Sequence, residues 1–432
     1  MNKKVVKNAS WIIGCKIAQS ILAFFISMLS ARYLGPSNFG LVGYAQSVTV
    51  FMAPIMQMGF NYILVREIIN HKEEEGKIIG SSILVSVISS IGCMIAIFLF
   101  AFISSPNDKD SIIVCVLYSI SLIFQAGELV AYWYQAHYLS KYPSLVSFFA
   151  YTIVSAYKVF LLSTEKSVYW FAVSYAIDYC IIAFVLIILF KCKSKQKLEF
   201  SLTVAKRLIS NGKYYILSAL MINVFLQTDR IMVKMMVGNS EAGYYIAAST
   251  CTGLLAFVFA AINDSMRPLV LENKKNRSCL YEKSIISLYS IIIYLALIYA
   301  MILCAFSNTI VRLLYGVDYV AAVPILQVLS WYTVFAYYGG AKDVWVLAEE
   351  KQKYLIYLNG AGAIANVTLN FFLIKTCGGV GAAIASLITQ MITNVLIVQF
   401  IPDLRPNNRF LLLSLNPRNL MQIMKLGAGR LF

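Results

Sequence analysis

The residues of this chain that could do chemistry are charged side chains inside long apolar runs. They are Lys16, Glu128, Lys158, Asp178, Asp229, Arg230, Lys234, Lys342 and Asp343. A charge at the centre of a bilayer costs about 3 kcal/mol to insert, so such residues pair with one another or line the path of a solute. A carboxylate in a low-dielectric site can load and release a proton. Glu128, Asp178 and Asp229 are therefore candidates for ion coupling, the uptake and release of a proton or another cation.

The deepest charges are Lys16, Glu128, Asp178 and the adjacent residues Asp229 and Arg230. Neighbouring residues on a helix point about 100° apart, so Asp229 and Arg230 cannot simply neutralise one another. At least one of them should face a partner helix or a water-filled cavity. Structural pairing and the lining of a cavity remain alternatives for all of these residues.

The other four charges lie near the ends of their runs. Lys158 and Lys234 are close to the outer ends, where long side chains snorkel to the interface. Lys342 and Asp343 are close to the inner end and are expected to reach water.

A short motif occurs twice and indicates how the elements that carry these charges are arranged. "ARYLGPSNFGLVGYAQS" and "KMMVGNSEAGYYIAAST" both contain Gly-x-Ser-x-x-Gly, beginning at Gly35 and at Gly238, an offset of 203 residues. Glycine and Pro36 interrupt helices, so each copy predicts a tight turn between two helices. The offset is close to half the chain and predicts two similar halves.

Basic residues at the inner ends of the second and eighth runs follow the same offset. Asn61 and Arg66 in "FNYILVREI" correspond, within two residues, to Asn263, Asp264 and Arg267 in "INDSMRPLV". A role in binding an anionic substrate is one interpretation. The other is the excess of Lys and Arg that cytoplasmic ends of spans carry in any case.

The composition requires a membrane around most of the chain. Hydrophobic residues make up 60% and charged residues 13% of the sequence, and the mean hydropathy is +0.74. No soluble domain of this length buries that much apolar surface. The cysteines form no CxxC pair, and His71 and His137 stand alone, so we expect no disulfide framework, metal site or cofactor. The net charge of +16 lies in short loops between apolar runs, which argues against nucleic acid as a partner.

The apolar runs are long enough to be transmembrane helices, which need about 20 residues each. We predict twelve: 11–34, 41–65, 78–102, 111–136, 143–162, 168–190, 214–237, 243–266, 284–306, 321–347, 354–374 and 380–401. With both termini in the cytoplasm, the inner segments carry 26 of the 36 Lys and Arg residues and the outer loops carry 5. This bias is the one that membrane insertion favours.

The predicted domain organisation follows from this topology. Residues 1–190 and 214–402 would form two six-helix lobes, joined by the basic cytoplasmic linker 191–213 and followed by a cytoplasmic or interfacial tail, 403–432. Six helices return the chain to its starting side, so the two lobes would be parallel repeats. No outer loop is long enough for a catalytic domain.

Several segments, in this order, resemble polysaccharide transporters of the Wzx type, the O-antigen and capsule repeat-unit flippases of the MOP superfamily. They are "ARYLGPSNFGLVGYAQS", "AYWYQAHYLSKY", "QTDRIMVKMMVGNSEAGYYIAAS", "LYGVDYVAAVPILQVLS" and "NGAGAIANVTLNFFLIKTCGGVGAAIASLIT". The resemblance covers about residues 31–389. It implies an all-α, MATE-like fold with two lobes around a central cavity that opens to one side at a time.

The resemblance also implies a substrate and a setting. The substrate would be an undecaprenyl-pyrophosphate-linked oligosaccharide, moved from the cytoplasmic to the outer leaflet of the bacterial plasma membrane. Basic residues would bind the pyrophosphate, and the positions here that could match are Lys16, Arg66 and Arg267. Gln19 shares the helix face of Lys16, and Arg230 lies deeper, where it would receive the charge as the cavity turns outward. A polysaccharide polymerase and a chain-length regulator would be partners, besides membrane lipid.

Two other functions compete with that of a flippase. A cation-coupled multidrug exporter of the MATE type would use acidic sites with little basic lining, which Lys16 and Arg230 oppose. A membrane polymerase or acyltransferase would be expected to show a large outer loop or a buried catalytic histidine, and the sequence has neither feature. We therefore predict a transporter and not an enzyme.

Overall fold

The computed structural model describes residues 3–194, 196–276 and 280–417, and every regular element in these ranges is helical. Lys195, Arg277 and the end of the predicted tail, 418–432, lie outside the described residues. The chain divides into two compact units, Met1–Gly243 and Tyr244–Phe432.

The first unit contains nine α-helices within the described residues. They are α1 (Lys3–Met56), α2 (Phe60–Asn70), α3 (Glu75–Ser104), α4 (Lys109–Ser119), α5 (Ser121–Glu128), α6 (Ala131–Ala136), α7 (Lys141–Ser163), α8 (Val168–Lys193) and α9 (Leu202–Met236). Helix α1 packs against α4, α7 and α9, and α8 packs against α5 and α7. Helix α9, which the sequence assigned to the C-terminal lobe, belongs to this unit by its contacts; the lobe boundaries stay a prediction.

The second unit holds the remaining α-helices of the described chain, except that the first turn of α10 belongs to the first unit. They are α10 (Asn239–Gly253), α11 (Ala256–Lys275), α12 (Tyr281–Ala305), α13 (Ser307–Tyr315), α14 (Ala322–Ala348), α15 (Lys353–Met391), α16 (Ile397–Phe400) and α17 (Arg405–Ser414). Helix α14 packs against α11, α12 and α15, and α17 packs against α12. A short π-helix, Ile392–Leu396, joins α15 to α16.

Eight helical stretches among the described residues are long and apolar enough to cross a membrane. The count is nine if the two parts of α9, which meet at a bend, are taken as one further span. Two of these stretches, Gly14–Asn70 and Lys353–Phe400, change direction at Gly35 and Gly378, where φ is 69° and 58°. Left-handed backbone of this kind favours glycine. Each of the two stretches therefore accommodates two of the predicted spans, and the total of twelve stays a prediction.

The two copies of the repeated turn contact each other directly. A Cβ atom on Gly40 would overlap the carbonyl oxygen of Asn239, and one on Gly243 would overlap that of Pro36. The offset of 203 relates both pairs, since it carries Pro36 to Asn239 and Gly40 to Gly243. Reciprocal contacts of this kind are those that a two-fold axis produces. The two turns therefore lie side by side.

The predicted linker 191–213 is mostly helical, because α8 extends into its beginning and α9 starts within it. The intervening segment lies on the first turns of α3. Gly76 N–H donates to Gln196 Oε1 at 2.9 Å, and Ser201 N–H donates to Ser81 Oγ at 2.9 Å. A Cβ on Gly76 or on Gly80 would overlap the backbone of this segment. The linker is thus docked on the first unit through a Gly-x-x-x-Gly face.

Lys234 is buried, contrary to the expectation that it snorkels. Its side chain donates to Ser105 Oγ at 2.6 Å, lies 3.6 Å from Asp108 Oδ2, and sits over the ring of Tyr44. The place of Lys234 in its apolar run indicated a helix end. The run could not reveal that the connection between α3 and α4 folds over this end of α9. The contacts tie α9 to α1 and to that connection.

Asp108 keeps its negative charge in this cluster. Burial favours the neutral form, but hydrogen bonds from Ser111 and the charge of Lys234 outweigh it, so the pKa of Asp108 lies below its ordinary value. A lowered folded-state pKa contributes stability above the unfolded value of about 3.9 and loses it as pH falls through the folded-state pKa. The cluster is therefore intact near neutral pH.

Replacing Lys234 by methionine is expected to destabilise the protein by about 1–3 kcal/mol, the range for hydrogen bonds that involve a charged group. Thermal unfolding in detergent should show a lower midpoint at pH 7, and a smaller loss of stability between pH 5 and 3 than the wild type shows. The exposed neighbour Lys109 provides the control, as Lys109→Met. Equal unfolding midpoints for the two variants would show that the cluster around Lys234 contributes nothing to the stability of the protein.

Candidate functional site

A cavity of about 520 Å³ opens in the first unit among α1, α2, α5, α6 and α7. Its volume is within the range of sites that enclose small organic ligands. The described residues that line it are Lys16, Gln57, Asn61, Gln125, Glu128, Leu129, Ala131, Tyr132, Gln135, Ser140, Pro143 and Ser144.

Breaks in two membrane helices build this cavity. Helix α1 ends at Met56 and α2 begins at Phe60, across a left-handed turn at Met58 and Gly59. Helix α5 ends at Glu128 before α6 starts. Non-helical backbone at membrane depth is tolerated where it is covered by protein or lines a cavity. The breaks lie beside the cavity, and the polar residues next to them, Gln57 and Glu128, line it.

The cavity lining combines one cation and one carboxylate with four side-chain amides. Lys16 is exposed on α1, and Glu128 is half-buried at the end of α5. The amides are those of Gln57, Asn61, Gln125 and Gln135. Of these amides, only that of Gln125 donates to a described protein group, Ser121 Oγ at 3.4 Å. The side-chain amides of Gln57, Asn61 and Gln135 are therefore available to a ligand.

A second group of polar residues adjoins Glu128. Asp178 on α8 interacts electrostatically with Glu128 and with Lys158 on α7. Its side chain is buried, and Oδ1 has no hydrogen-bond partner among the described residues. Tyr118 and Tyr175 stack beside it with their ring centroids 4.3 Å apart. Asp178 thus lies between a second carboxylate, Glu128, and the cation of Lys158.

The structure brings some of the sequence-predicted residues together and leaves others apart. Lys16 and Glu128 line one cavity with Asn61. Gln19 is half-buried on α1 but is not among the described lining residues. Arg66 lies on α2 with an exposed side chain, 3.7 Å from Glu67.

The remaining predicted residues lie on other helices. Asp229 is buried and Arg230 is half-buried on α9. Arg267 is exposed on α11 in the second unit, 3.3 Å from Asp264. Lys342, expected to reach water, is instead 4% exposed and donates to Asn394 Oδ1 at 2.9 Å. The neighbouring Asp343 side chain is 53% exposed, and its Oδ1 lies 3.6 Å from the Lys342 ammonium group.

Sequence reasoning missed the uncharged polar lining residues other than Asn61. They are Gln57, Gln125, Tyr132, Gln135, Ser140 and Ser144. A search for charges inside apolar runs passes over amides and hydroxyls. Gln57 and Gln125 stand inside predicted spans, so a search for any strong hydrogen-bonding group at membrane depth would have found them.

A family model for polysaccharide biosynthesis proteins matches residues 5–274, more than half of the chain. The chain belongs to this family. The chain is similar to an uncharacterized membrane protein of Methanocaldococcus jannaschii. The two are 21% identical over 437 residues, which cover 93% of this chain and 85% of that protein.

Solved structures show the fold of this family member. The lipid II flippase MurJ in an inward closed conformation has a TM-score of 0.76 at 17% identity, over 96% of this chain and 93% of that one. An inward-facing multidrug resistance MATE transporter of the MOP superfamily has a TM-score of 0.69 at 12% identity, over 94% and 99%. A MOP superfamily transporter from Pyrococcus furiosus has a TM-score of 0.60 at 14% identity, over 96% and 97%.

These likenesses confirm the predicted fold class. The chain is an all-α, multi-pass membrane protein with the fold of MOP superfamily transporters. The solved proteins that share this fold are named as flippases and transporters and not as enzymes.

Proposed function

We propose that this protein is a Wzx-type flippase that moves undecaprenyl-pyrophosphate-linked polysaccharide repeat units from the cytoplasmic to the outer leaflet by alternating access. The observation that carries the proposal is the cavity of the first unit, where Lys16 stands among four side-chain amides in a member of a polysaccharide biosynthesis family. Amides both donate and accept hydrogen bonds, as sugar hydroxyls do. The lysine adds the charge that a pyrophosphate requires.

The head group sets the electrostatic demand on the site. A pyrophosphate is multiply charged and cannot enter hydrocarbon unaided, whereas attraction to a cation is stronger in a cavity than in bulk water. Lys16 lies in the first half of α1 and would meet the phosphates, with Gln19 one turn further along the helix. Arg66, Arg230 and Arg267 stay sequence-based candidates for later contacts along the path.

The setting follows from the same proposal. The protein would lie in the bacterial plasma membrane with both termini in the cytoplasm, where lipid-linked sugars are made. A polysaccharide polymerase and a chain-length regulator would act on the flipped product. The flippase itself needs no cofactor, since translocation makes and breaks no covalent bond.

Deleting the gene in its host tests the proposal. Cells without the protein should lose the surface polysaccharide and accumulate the lipid-linked repeat unit, accessible only from the cytoplasmic side. A plasmid copy should reverse both effects. Normal polysaccharide together with a normal precursor level in the deletion strain would refute the proposal.

A cation-coupled multidrug exporter is the second candidate, because solved MATE transporters share the fold and the first unit holds the acidic residues Glu128 and Asp178. An exporter would accumulate ethidium inside inverted vesicles when a proton or sodium gradient is applied. If the protein is a flippase and not an exporter, ethidium uptake should be no faster than in vesicles without the protein.

We further propose that transport is coupled to an ion gradient through one of three carboxylates, Glu128, Asp178 or Asp229. Asp178 is the strongest of these, since it is buried, has one oxygen without a hydrogen-bond partner among the described residues, and interacts electrostatically with Glu128 and with Lys158. Like charges at close range favour uptake of a proton or another cation.

Neutralising the coupling carboxylate is expected to abolish stimulation by the gradient while leaving transport down a substrate gradient. The variants are Glu128→Gln, Asp178→Asn and Asp229→Asn, and the exposed Glu73→Gln serves as the control. Initial rates with and without an imposed gradient give the stimulation directly. If all three variants respond to the gradient as the wild type does, coupling lies elsewhere.

A further inference from the structure

The short helix α6 contributes side chains to two different cavities. Tyr132 and Gln135 line the cavity that contains Lys16. Trp133 and His137, which are one helical turn apart, line a second cavity of about 460 Å³. The position of α6 therefore determines where the phenol of Tyr132 and the amide of Gln135 lie in the cavity of Lys16.

One buried carboxylate, that of Glu75, contacts the second face of α6 at two points. Glu75 is the first residue of α3 and is 8% exposed. Trp133 Nε1–H donates to its Oε2 at 2.6 Å, and His137 Nε2 lies 3.2 Å from its Oε1. The indole ring of Trp133 also packs edge-on against Phe190 of α8, with the ring centroids 5.0 Å apart. The two oxygens of Glu75 thus hold two successive turns at the end of α6.

Helix α6 depends on such contacts because it is only six residues long. Isolated helices shorter than about 12–15 residues are marginal in water. The helix follows the break after Glu128 and is followed by Tyr138, whose φ is 58°. Tyr134 donates to the carbonyl oxygen of Leu186 at 3.4 Å, a longer and neutral hydrogen bond. Since hydrogen bonds to an ionised group are the stronger ones, Glu75 provides the main polar restraint that the described residues place on α6.

We propose that Glu75 is a positioning residue for the substrate site, which holds α6 where Tyr132 and Gln135 contact the lipid-linked sugar. Glu75 is not among the described residues that line the cavity of Lys16, so it acts through α6 and not on the substrate. Without its carboxylate, α6 occupies the binding position for only part of the time, and the apparent affinity falls by that fraction. The proposal rests on the flippase function proposed above, because a lipid-linked sugar is the ligand whose affinity changes.

Three substitutions separate the hydrogen bonds of this cluster from its packing. Glu75→Ala removes both contacts with α6, and because Glu75 lines the second cavity, water can take the place of its side chain. Glu75→Gln keeps the shape, and the amide can accept from Trp133 through its oxygen and donate to His137 through its nitrogen. Trp133→Phe keeps an aromatic ring against α8 and removes only the N–H donor.

The first measurement is the rate of flipping in proteoliposomes at increasing mole fractions of an undecaprenyl-pyrophosphate disaccharide. Glu75→Ala should raise KM at least about threefold and keep the maximal rate within about twofold, because saturating substrate returns α6 to the binding position. Glu75→Gln should keep both values within about twofold of the wild type. The double variant Glu75→Ala, Trp133→Phe should have the KM of Glu75→Ala, since partners in one contact are not additive.

The second measurement is amide hydrogen exchange over residues 131–139, which reports the position of α6 without any substrate. The loss of a hydrogen bond to a charged group should speed exchange there by about 10- to 100-fold in Glu75→Ala. Exchange in Glu75→Gln should stay close to that of the wild type.

Two controls separate positioning from a general loss of charge or stability. Glu73→Ala removes an exposed carboxylate two residues away and should change neither KM nor exchange in α6. Lys234→Met is expected to lower the unfolding midpoint through a different cluster, and it should leave KM unchanged.

The outcomes distinguish this proposal from the proposed function. If the wild type moves no disaccharide lipid, the flippase function fails and the role of Glu75 in substrate binding fails with it. If the wild type is active, an unchanged KM or unchanged exchange in Glu75→Ala refutes the positioning role and leaves the function standing. Should Glu75→Ala fold poorly, Trp133→Phe decides the question, because it must raise both KM and exchange if the contact with Glu75 positions α6.

Discussion

Replacing Lys16 by alanine is expected to reduce flipping of a pyrophosphate-linked oligosaccharide by about 10- to 100-fold, with the amount of folded protein unchanged. Lys16 is the one cation among the described residues that line the cavity, and its side chain is exposed there. A hydrogen bond that involves a charged group is worth about 1.5–3 kcal/mol, which corresponds to this range of rates. Because the side chain supports no packing, its removal should not affect folding.

The conservative variant separates charge from identity. Lys16→Arg keeps the charge and offers a fork of donors to the phosphates, so it should retain most of the wild-type rate. Lys166→Ala, which removes an exposed lysine outside the cavity, is the matched control. Wild-type rates in Lys16→Ala would show that Lys16 serves topology and not the substrate.

Replacing Gly40 by valine is expected to prevent the accumulation of folded protein. Any Cβ at this position overlaps the backbone of Asn239, and the reciprocal overlap exists between Gly243 and Pro36. Neither partner is the flexible end of a side chain, so the two turns would have to separate. Overpacking against backbone should cost about 3 kcal/mol or more, a large part of the stability of a marginally stable protein.

Gly92 provides a control with the same chemical change. It is also helical, on α3, but a Cβ there has no atom within 4 Å. Gly92→Val should therefore elute as a monodisperse peak in detergent and unfold close to the wild-type temperature. If Gly40→Val behaved in the same way, the two turns could not be in the contact described.

The parts of the fold that were predictable from sequence are those with local signals. The change of direction at Gly35 follows from glycine and proline between two apolar runs. The turn before the last span follows in the same way from the glycines at Gly378 and Gly379. Gly35 and Gly378 are themselves the residues at which the chain changes direction. The signal can therefore be read without knowing which distant residues pack against it.

The breaks inside spans were not predictable because their apolar sequence continues across them. At the first break Met58 and Gly59 are both left-handed, and one glycine inside an apolar run does not by itself mark a break. The burial of Lys234 depends on Ser105 and Asp108, more than a hundred residues away. Charge alone marked Lys16 and Glu128 as candidates, but only the packing of α5 and α7 around α1 puts them in one cavity.

The most direct test of the flippase function is a flipping assay with the purified protein in liposomes. An undecaprenyl-pyrophosphate disaccharide with a fluorescent label is distributed over both leaflets, and a membrane-impermeant reductant destroys the label that reaches the outside. We expect the wild type to expose the inner-leaflet label until nearly all fluorescence is lost, and Lys16→Ala to slow that phase by about 10- to 100-fold. A plateau equal to that of protein-free liposomes, from protein that remains folded, would contradict the proposal that this chain moves lipid-linked sugars.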